Sequence, residues 1–465
     1  MIQTTERTAR TERAQTSETD ELPKAARAGV LLALLAATAI IAVMLTAACA
    51  HRPKSPPGIP LTPSQRELEV ASFDQVWTTI RDKHWDSTKV GADWEAARDS
   101  LRPKVESAVT REQSLAAMTH LIDRLGQSHF GIIPNTIYQD LDAGPRGEGR
   151  PGFDLRVVDE QALVVSVEPG SPAESLGVRP GWVISRVRDQ DVAAVLDKLS
   201  PQFEGKTLRD LVLTNAVLAR LSGSIGEIVA VRFLDGGDRR VDLDVPLVAP
   251  RGNRVSFGNI PPMYAYFDSR ELEGGILYTK ISVFFDPGRI MTAFGEAIES
   301  NLDAPGLILD LRGNPGGIGA MAMGVAGWLV EGSDRELGVM QTRGSRLKFS
   351  ISPRARTYGG PVALLVDGLS ASSSEVLVAG LQDLGRARVF GTRTAGAALP
   401  STIEKLPNGD GFQYAFANYT STGGAVLEGR GVEPDEKVVA DRASLLSGRD
   451  PVLDAAVAWI RRSRE

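Results

Sequence analysis

Apolar residues recur at helical spacing over the first folded stretch of the chain. In residues 64–135 they fall three and four positions apart, as at Phe73, Val76 and Ile80, and Gly126 provides a helix stop. This periodicity predicts a small helical domain over 64–135.

A second pattern, alternation of apolar residues, begins near residue 147. It predicts short strands at 153–157 and 163–167. The sequence Ser171-Pro172-Ala173-Glu174 then has the cap, the first-turn proline and the third-position glutamate of a short helix. A glycine turn at 235–238 closes a later hairpin. Together these signals predict a β-rich domain over 147–250.

Continuous apolar runs mark a third unit. Residues 306–312 and 362–367 do not alternate, as expected for strands buried on both faces of a parallel sheet, and each is followed by a small-residue loop and a helix. We therefore predict an α/β core over 271–462. Any site should lie at the carboxyl ends of its strands.

The amino end carries none of these patterns. Residues 1–27 are rich in Thr, Glu and Arg and predict a disordered tail. Residues 28–50 are apolar or small, and at about 1.5 Å per residue the run can cross a bilayer core of about 30 Å. A buried core helix explains the run less well, because no charged residue interrupts it. Residues 51–63 follow as a proline-rich linker.

The membrane segment allows two interpretations. The sequence Leu45-Thr46-Ala47-Ala48-Cys49 resembles a bacterial lipoprotein cleavage box, which would make Cys49 a lipid anchor. The leucine lies one position too early for that box, and the apolar run is long for a cleaved signal, so we favour an uncleaved anchor. Basic residues flank the run on both sides and leave its orientation open.

Composition narrows the possible partners and chemistry. The 465 residues include 42% hydrophobic and 24% charged residues, as in soluble globular proteins. A net charge of -6 argues against a nucleic-acid partner. The single cysteine forbids an intramolecular disulfide, and the four histidines show no HExxH spacing, so no metal site is expected.

Four short segments carry residues capable of chemistry. Asp310–Gly317 is a glycine-rich turn after a strand, 369–375 is rich in serine, Ser128-His129 ends the helical domain, and Glu428 lies in a late loop. Each alone has an ordinary explanation as a turn, a cap or a solvated side chain. A phosphate-binding regulator built on the glycine turn is a further alternative, but it lacks a neighbouring lysine.

Taken in order, these segments resemble the S41 serine peptidases, which include the carboxyl-terminal processing proteases and the tricorn-like peptidases. The resemblance rests on the Ser-His pair, the β-rich domain, DLRGNPGG, SASSSE and EGRGVEPD, and it covers 73–435. It implies a multi-domain α/β fold with a helical amino-terminal segment, a circularly permuted PDZ domain and a crotonase-like peptidase core.

The resemblance also implies roles for individual residues. Ser372 takes the nucleophile position, and the oxyanion would be held by the amide of Ser373 and by that of Gly316 or Gly317. The lysine base of the processing branch is absent, because its register falls on Ala397.

The tricorn-like branch instead uses a histidine preceded by serine and a late acid, which match His129, Ser128 and Glu428. Two details depart from the pattern. Phe130 replaces a small hydroxyl residue, and Ser373 and Ser374 are alternative nucleophiles.

The function implied is a membrane-tethered serine endopeptidase of the bacterial cell envelope, with its body on the extracytoplasmic side and no cofactor. Polypeptide tails would dock on the PDZ domain through a loop containing Arg150, Gly152 and Phe153. The rival hypothesis is a catalytically silent binding or scaffold protein with the same fold.

Overall fold

The computed structural model describes residues 60–135 and 147–463. The predicted tail, the membrane segment with Cys49, and nearly all of the linker therefore lie outside the described residues. Within the described ranges no helix combines the length and the apolarity needed to cross a membrane.

The amino-terminal segment is helical, as its periodicity predicts. Its elements are α1 (Pro63–Lys83), α2 (Ala92–Glu106), α3 (Arg111–Asp123) and the strand β1 (Gly131–Ile133). Thr62 and Gln65 form a reciprocal capping box at the start of α1, which satisfies two of the amides that a helix start leaves unpaired.

The β-rich unit, defined here as residues 147–250, contains one antiparallel sheet in the order β2-β3-β4-β6-β7, with β5 paired to β4. Its elements are β2 (Phe153–Val158), β3 (Gln161–Val167), α4 (Pro172–Ser175), β4 (Val183–Val187), β5 (Gln190–Asp191), α5 (Val192–Leu199), α6 (Arg209–Arg220), β6 (Ile228–Leu234) and β7 (Arg240–Pro246). The predicted strands, hairpin and Ser171 cap are confirmed: the Ser171 side chain accepts from the amide of Glu174.

The core begins after a hairpin of β8 (Asn253–Phe257) and β9 (Ile260–Ala265). Its strands and helices are β10 (Phe267–Glu271), β11 (Leu277–Ile281), α7 (Pro287–Glu299), β12 (Leu307–Asp310), α8 (Gly319–Ala326), β13 (Glu336–Thr342), β14 (Arg346–Ser350), β15 (Val362–Val366), α9 (Ser373–Asp383), β16 (Arg388–Gly391), β17 (Ser401–Lys405), β18 (Gly411–Ala415), β19 (Ala417–Ser421), β20 (Glu436–Lys437), α10 (Arg442–Leu446) and α11 (Pro451–Arg462).

Six core strands form one sheet in the order β10-β11-β12-β15-β16-β20, parallel from β11 onward. Leu307 and Leu309 pack with residues of α7, α8 and α9, while Ile308 packs with α11 on the opposite face. The predicted burial of both faces is thus confirmed. The sheet directs the loops after β12 and β15 to the same edge, as expected for parallel neighbours.

The helical segment joins the core through a strand. β1 pairs antiparallel with β18, with Gly131 opposite Gln413. Behind this pairing, Phe73 of α1 and Leu121 of α3 share one apolar cluster with Phe412. The residues just before β1, including His129, are therefore carried to the core.

Two arginines form hydrogen bonds between the β-rich unit and the core. Arg442 of α10 donates to the carbonyls of Gly181 and Asp235, at 3.0 and 2.7 Å, and to Asp238 Oδ1 at 2.7 Å. On the other side, Arg156 of β2 donates to Asp367 Oδ2 at 2.7 Å. The unit is thus bonded to the loop that follows β15.

Candidate active site

Ser372 lies on the sharp turn between β15 and α9. Its backbone has φ 55° and ψ −117°, a region that residues with a side chain seldom occupy. A serine held in a strained strand-to-helix turn is the arrangement that presents a nucleophile in hydrolases. The structure therefore gives Ser372 a backbone geometry that suits the role predicted for it.

The two serines that follow have structural bonds. Ser373 Oγ donates to the carbonyl of Gly317 at 2.7 Å, and Ser374 Oγ donates to the carbonyl of Asn314 at 3.0 Å. These bonds tie the start of α9 to the glycine-rich turn. Both hydroxyls hold the turn together, which weakens the case for either serine as the nucleophile.

Gly316 lies directly against the nucleophile turn. A Cβ placed on it would lie 2.7 Å from Ser372 Cβ and 2.9 Å from the Ser373 amide nitrogen, and its φ is 100°. Its own amide donates to Asn314 Oδ1 at 2.9 Å. Gly316 therefore makes room for Ser372, and its own amide is engaged within the glycine-rich turn.

His129 belongs to a relay of hydrogen bonds with Ser128 and Glu428. Glu428 accepts from the Ser128 amide (Oε1, 2.7 Å) and from the Ser128 hydroxyl (Oε2, 2.8 Å), and Ser128 Oγ lies 2.6 Å from His129 Nδ1. Because that hydroxyl proton goes to Glu428, the proton of the second bond must be on Nδ1. The lone pair is then on Nε2, the tautomer that a general base requires.

Burial governs the ionisation of this relay. It lowers the pKa of His129 to about 4, and it raises the pKa of Glu428 against the opposing effect of the bonds from Ser128 and Ala398. Above pH 5 the imidazole is neutral and able to accept a proton. The side chains of Ser372 and His129 are almost completely covered, with exposed fractions of 3% and 2%.

A short segment, residues 394–398, connects this relay to the nucleophile; we call it the 394–398 strap. The Ala398 amide donates to Glu428 Oε2 at 3.2 Å, and the Ala397 carbonyl accepts from the Ser372 amide at 2.9 Å. Ala397 stands at the position of the lysine in the processing branch, and here it contributes hydrogen bonds of its backbone. The relay and Ser372 lie on either side of one peptide unit.

Glu375 also belongs to the site, although the sequence patterns predict no role for it. Its buried carboxylate accepts hydrogen bonds from the Ser372 amide and from three groups of the 394–398 strap. Burial raises the pKa of Glu375 to about 7, although these bonds oppose the shift. Its position three residues after Ser372 is the capping-box spacing, which is the signal that could have identified it.

His84 is a second residue without a predicted role, and it accounts for Phe130. The His84 ring stacks on Phe130, with centroids 5.6 Å apart, and its Nε2 lies 2.8 Å from Gln127 Oε1. This buried histidine at the end of α1 therefore holds both ends of the Gln127–Phe130 loop that carries His129. An aromatic residue at position 130 is needed for that stack.

Asp367 organises the loops around the site. Its Oδ1 accepts from the amides of Gly313 and Leu369, at 2.9 and 3.0 Å, while Oδ2 accepts from Arg156. Burial opposes its ionisation, but Arg156 and the amide bonds outweigh burial and lower the pKa of Asp367. One carboxylate thus joins the glycine-rich turn, the nucleophile loop and the β-rich unit.

The predicted peptide-binding residues make contacts within the β-rich unit. Arg150 Nη1 donates to the carbonyls of Gly147 and Gly149, both at 2.9 Å, so its guanidinium braces its own loop. The Gly152 carbonyl accepts from the Glu168 amide, and Phe153 packs in the unit's core. The role of Arg150 in binding a peptide stays a prediction.

The start of α6 covers the nucleophile loop. Leu211 packs with Leu369, Ala371 and Ala397 in one buried apolar cluster. Gly396 lies so close to Thr207 that a Cβ there would meet its hydroxyl at 2.4 Å. A cavity of about 900 Å³ lies beside this contact, between the β-rich unit and the core, and its wall reaches Leu369.

Family models and known proteins match this chain over most of the described residues. Residues 275–438 match the model of peptidase family S41, and residues 70–114 match that of the tricorn protease C1 domain. Tricorn protease homolog 2 of Streptomyces coelicolor is 26% identical over 398 residues, covering 83% of this chain and 32% of that protein, so the chain spans about a third of that relative.

Two further relatives match over most of their length. A carboxyl-terminal-processing protease of Synechocystis sp. is 25% identical over 401 residues, covering 85% of this chain and 86% of the relative. The solved photosystem II D1 C-terminal processing protease has the same fold, with a TM-score of 0.55, 22% identity, and coverage of 82% and 94%.

Residues 275–438 thus match a family of serine hydrolases that act on peptide bonds, and the same stretch contains a serine held at a strained turn of an α/β core. These matches are those of a serine peptidase, and residues 275–438 are the part of the chain that matches family S41.

Proposed function

We propose that the chain is a membrane-tethered endopeptidase that cleaves polypeptides through an acyl-enzyme, with Ser372 as nucleophile and His129 as base. Glu428 acts on the base through Ser128. The observation that supports this proposal most directly is the relay of Glu428, Ser128 and His129, which leaves Nε2 as the proton acceptor.

In the first half of the reaction, His129 Nε2 takes the proton of Ser372 Oγ while Oγ attacks the peptide carbonyl carbon. The tetrahedral oxyanion is held by the amides of Ser373 and Gly317. The C–N bond then breaks, the leaving amine takes the proton from His129, and an ester on Ser372 remains. A water molecule repeats the sequence, which releases the acid and restores the hydroxyl.

The burial of His129 suits this cycle. A neutral imidazole accepts the proton only as negative charge develops on the substrate, and the resulting imidazolium is stabilised through Ser128 by Glu428. The positive charge on His129 therefore forms together with the negative charge on the substrate. A close pair of opposite charges costs less free energy in a buried site than an isolated cation.

The β-rich unit supports a PDZ-type role in docking polypeptide tails. Its sheet ends in the edge strand β2, which faces α6, and an edge strand can accept an extended peptide as an added strand. In the present structure the Val157 amide of β2 bonds to Thr214 Oγ1 of α6 at 3.3 Å. A docking peptide would take over this amide, which would couple docking to displacement of α6.

Movement of α6 is also what substrate access requires. Ser372 is 3% exposed, and the start of α6 packs on the loops beside it. We infer that a polypeptide reaches Ser372 when α6 moves off the cluster around Leu211. The relatives named for carboxyl-terminal processing support a polypeptide tail as the substrate.

Residues 28–50 would tether the enzyme to a bacterial membrane, with the peptidase on the extracytoplasmic side of the cell envelope. Mass spectrometry of the mature chain tests the form of the tether. An acylated Cys49 as first residue would establish a lipoprotein and overturn the uncleaved helix.

The deciding experiment offers fluorescently labelled, unfolded casein to the full-length chain, to Ser372→Ala and to His129→Ala. We expect cleavage by the wild type and loss of about 10³-fold or more in both variants. A phosphonate ester should label a peptide that contains Ser372. Unchanged cleavage in Ser372→Ala would refute the nucleophile, and no cleavage by the wild type with retained peptide binding would favour the silent binding protein.

A further inference from the structure

Glu375 collects four donors on one buried carboxylate. Oε1 accepts from Thr394 Oγ1 at 2.6 Å and from the Gly396 amide at 2.8 Å. Oε2 accepts from the Ala397 amide at 2.9 Å and from the Ser372 amide at 3.0 Å. The side chain is wholly buried, so these groups replace water completely.

These bonds stabilise a backbone conformation of Ser372 that is unfavourable by itself. Ser372 has φ 55° and ψ −117°, and such a conformation persists only where the surroundings fix it. The Ser372 amide is fixed twice, by Glu375 Oε2 and by the Ala397 carbonyl. Glu375 also binds the Ala397 amide, so it holds both partners of that second bond.

The 394–398 strap continues from Glu375 to the base. The Ala397 amide donates to Glu375 and the next amide, that of Ala398, donates to Glu428 Oε2. Glu428 in turn binds Ser128, which orients His129. Two carboxylates therefore hold adjacent amides of the 394–398 strap: Glu375 on the side of Ser372 and Glu428 on the side of His129.

We propose that Glu375 is a positioning residue, which fixes Ser372 relative to His129 by binding the Ser372 amide and the 394–398 strap together. The proposal rests on the proposed roles of Ser372 and His129. It assigns Glu375 no contact with substrate. The carboxylate is suited to this task because it has acceptor positions for four donors, whereas an amide at the same place would direct N–H groups at some of them.

The first test compares Glu375→Gln with Glu69→Gln in the full-length chain. Glu69 is the matched control, because it is also buried and also accepts one side-chain bond, from Asn408, but it belongs to α1. We expect kcat on unfolded casein to fall about 10²-fold in Glu375→Gln, the cost of a misplaced reacting group, with KM changed less than about threefold. Glu69→Gln should keep the wild-type kcat.

The second test separates positioning from folding. With excess phosphonate ester, we expect Glu375→Gln to be labelled to the wild-type extent but at a rate lowered about 10²-fold. A merely structural role would reduce the labelled fraction and leave the rate constant of the remaining sites unchanged. That second result would overturn the proposal.

If Glu375→Gln does not fold, variants of Thr394 provide an alternative test of the proposal. Thr394→Val removes one donor to Glu375, whereas Thr394→Ser preserves it. We expect slower acylation in Thr394→Val and wild-type rates in Thr394→Ser. Equal rates in the two variants would contradict the proposal, while loss of the reaction's dependence on Ser372 would refute the proposed function itself.

Discussion

The hydroxyl of Ser128 donates to Glu428 Oε2 at 2.8 Å, although 300 positions separate the two residues. The same oxygen of Ser128 lies 2.6 Å from His129 Nδ1. Glu428 therefore has no need to touch the imidazole in order to orient it. A hydroxyl between acid and base transmits the preference for one tautomer.

Removing that hydroxyl should impair catalysis without unfolding the enzyme. In Ser128→Ala, Nδ1 loses its partner and either nitrogen can carry the proton, so we expect kcat to fall by about 10- to 10²-fold, at or below the low end of the about 10²- to 10⁴-fold that a general base contributes. Ser107→Ala is the control, since the Ser107 hydroxyl bonds the Pro103 carbonyl far from the site. Equal kcat values in the two variants would show that the relay is dispensable.

Gly316 should tolerate no side chain. In Gly316→Ala the methyl group would lie 2.7 Å from Ser372 Cβ and from the Ala371 carbonyl, so the nucleophile turn must shift. We expect a loss of about 10²-fold or more in kcat/KM, as for a misplaced reacting group. The matched control is Gly344→Ala, where the added methyl meets nothing within 4 Å. Rapid phosphonate labelling of Gly316→Ala would contradict the expected displacement.

The ionisation of Glu375 should cost stability as the pH rises. Its pKa is raised from 4.5 to about 7, so between these values the folded chain binds more protons than the unfolded chain, and stability falls with increasing pH. The full shift corresponds to about 3 kcal/mol. Hydrogen exchange of core amides at pH 5 and pH 8 should show this loss in the wild type relative to Glu375→Gln.

Comparison between those two proteins isolates Glu375. The lowered pKa of His129 acts in the opposite direction, because between about 4 and 6.5 the folded chain binds fewer protons there and stability rises with pH. This contribution is present in both proteins and cancels in their difference. A difference independent of pH would mean that Glu375 is not the titrating group.

The ion pair of Arg156 and Asp367 should matter to both stability and activity. In Arg156→Met the buried Asp367 carboxylate loses its cation, which should cost about 3 kcal/mol of unfolding free energy. Because Asp367 also binds the amides of Gly313 and Leu369, kcat should fall as well. The double variant Arg156→Met, Asp367→Asn should recover part of the stability, as measured by thermal unfolding.

Local patterns were sufficient to locate most core elements. The continuous apolar run at 362–367 corresponds to β15 (Val362–Val366), and the helix predicted after that run is α9 (Ser373–Asp383). The helix predicted after the run at 306–312 is α8, which ends at Ala326. There Gly327 approaches the Ser352 carbonyl so closely that a Cβ would lie 2.4 Å from it, a contact with no local signal.

Long-range contacts within the site were beyond such patterns. The family resemblance supplied Ser128, His129 and Glu428, but the stack of His84 on Phe130 depends on how α1 ends against a loop more than 40 positions later. The four bonds of Glu375 depend on the return of the 394–398 strap to α9. Spacing within one element carries no information about either event.

The pairing of β1 with β18 has a consequence for biosynthesis. The strand that brings His129 to the core has no partner until residues 411–413 have been made, some 280 positions after it. During most of translation the emerging polypeptide therefore contains His129 without Ser372, and when Ser372 has been made the strand that docks His129 still lacks its partner β18. With the proposed roles of Ser372 and His129, cleavage of the nascent polypeptide would be deferred until nearly the whole chain has been synthesised.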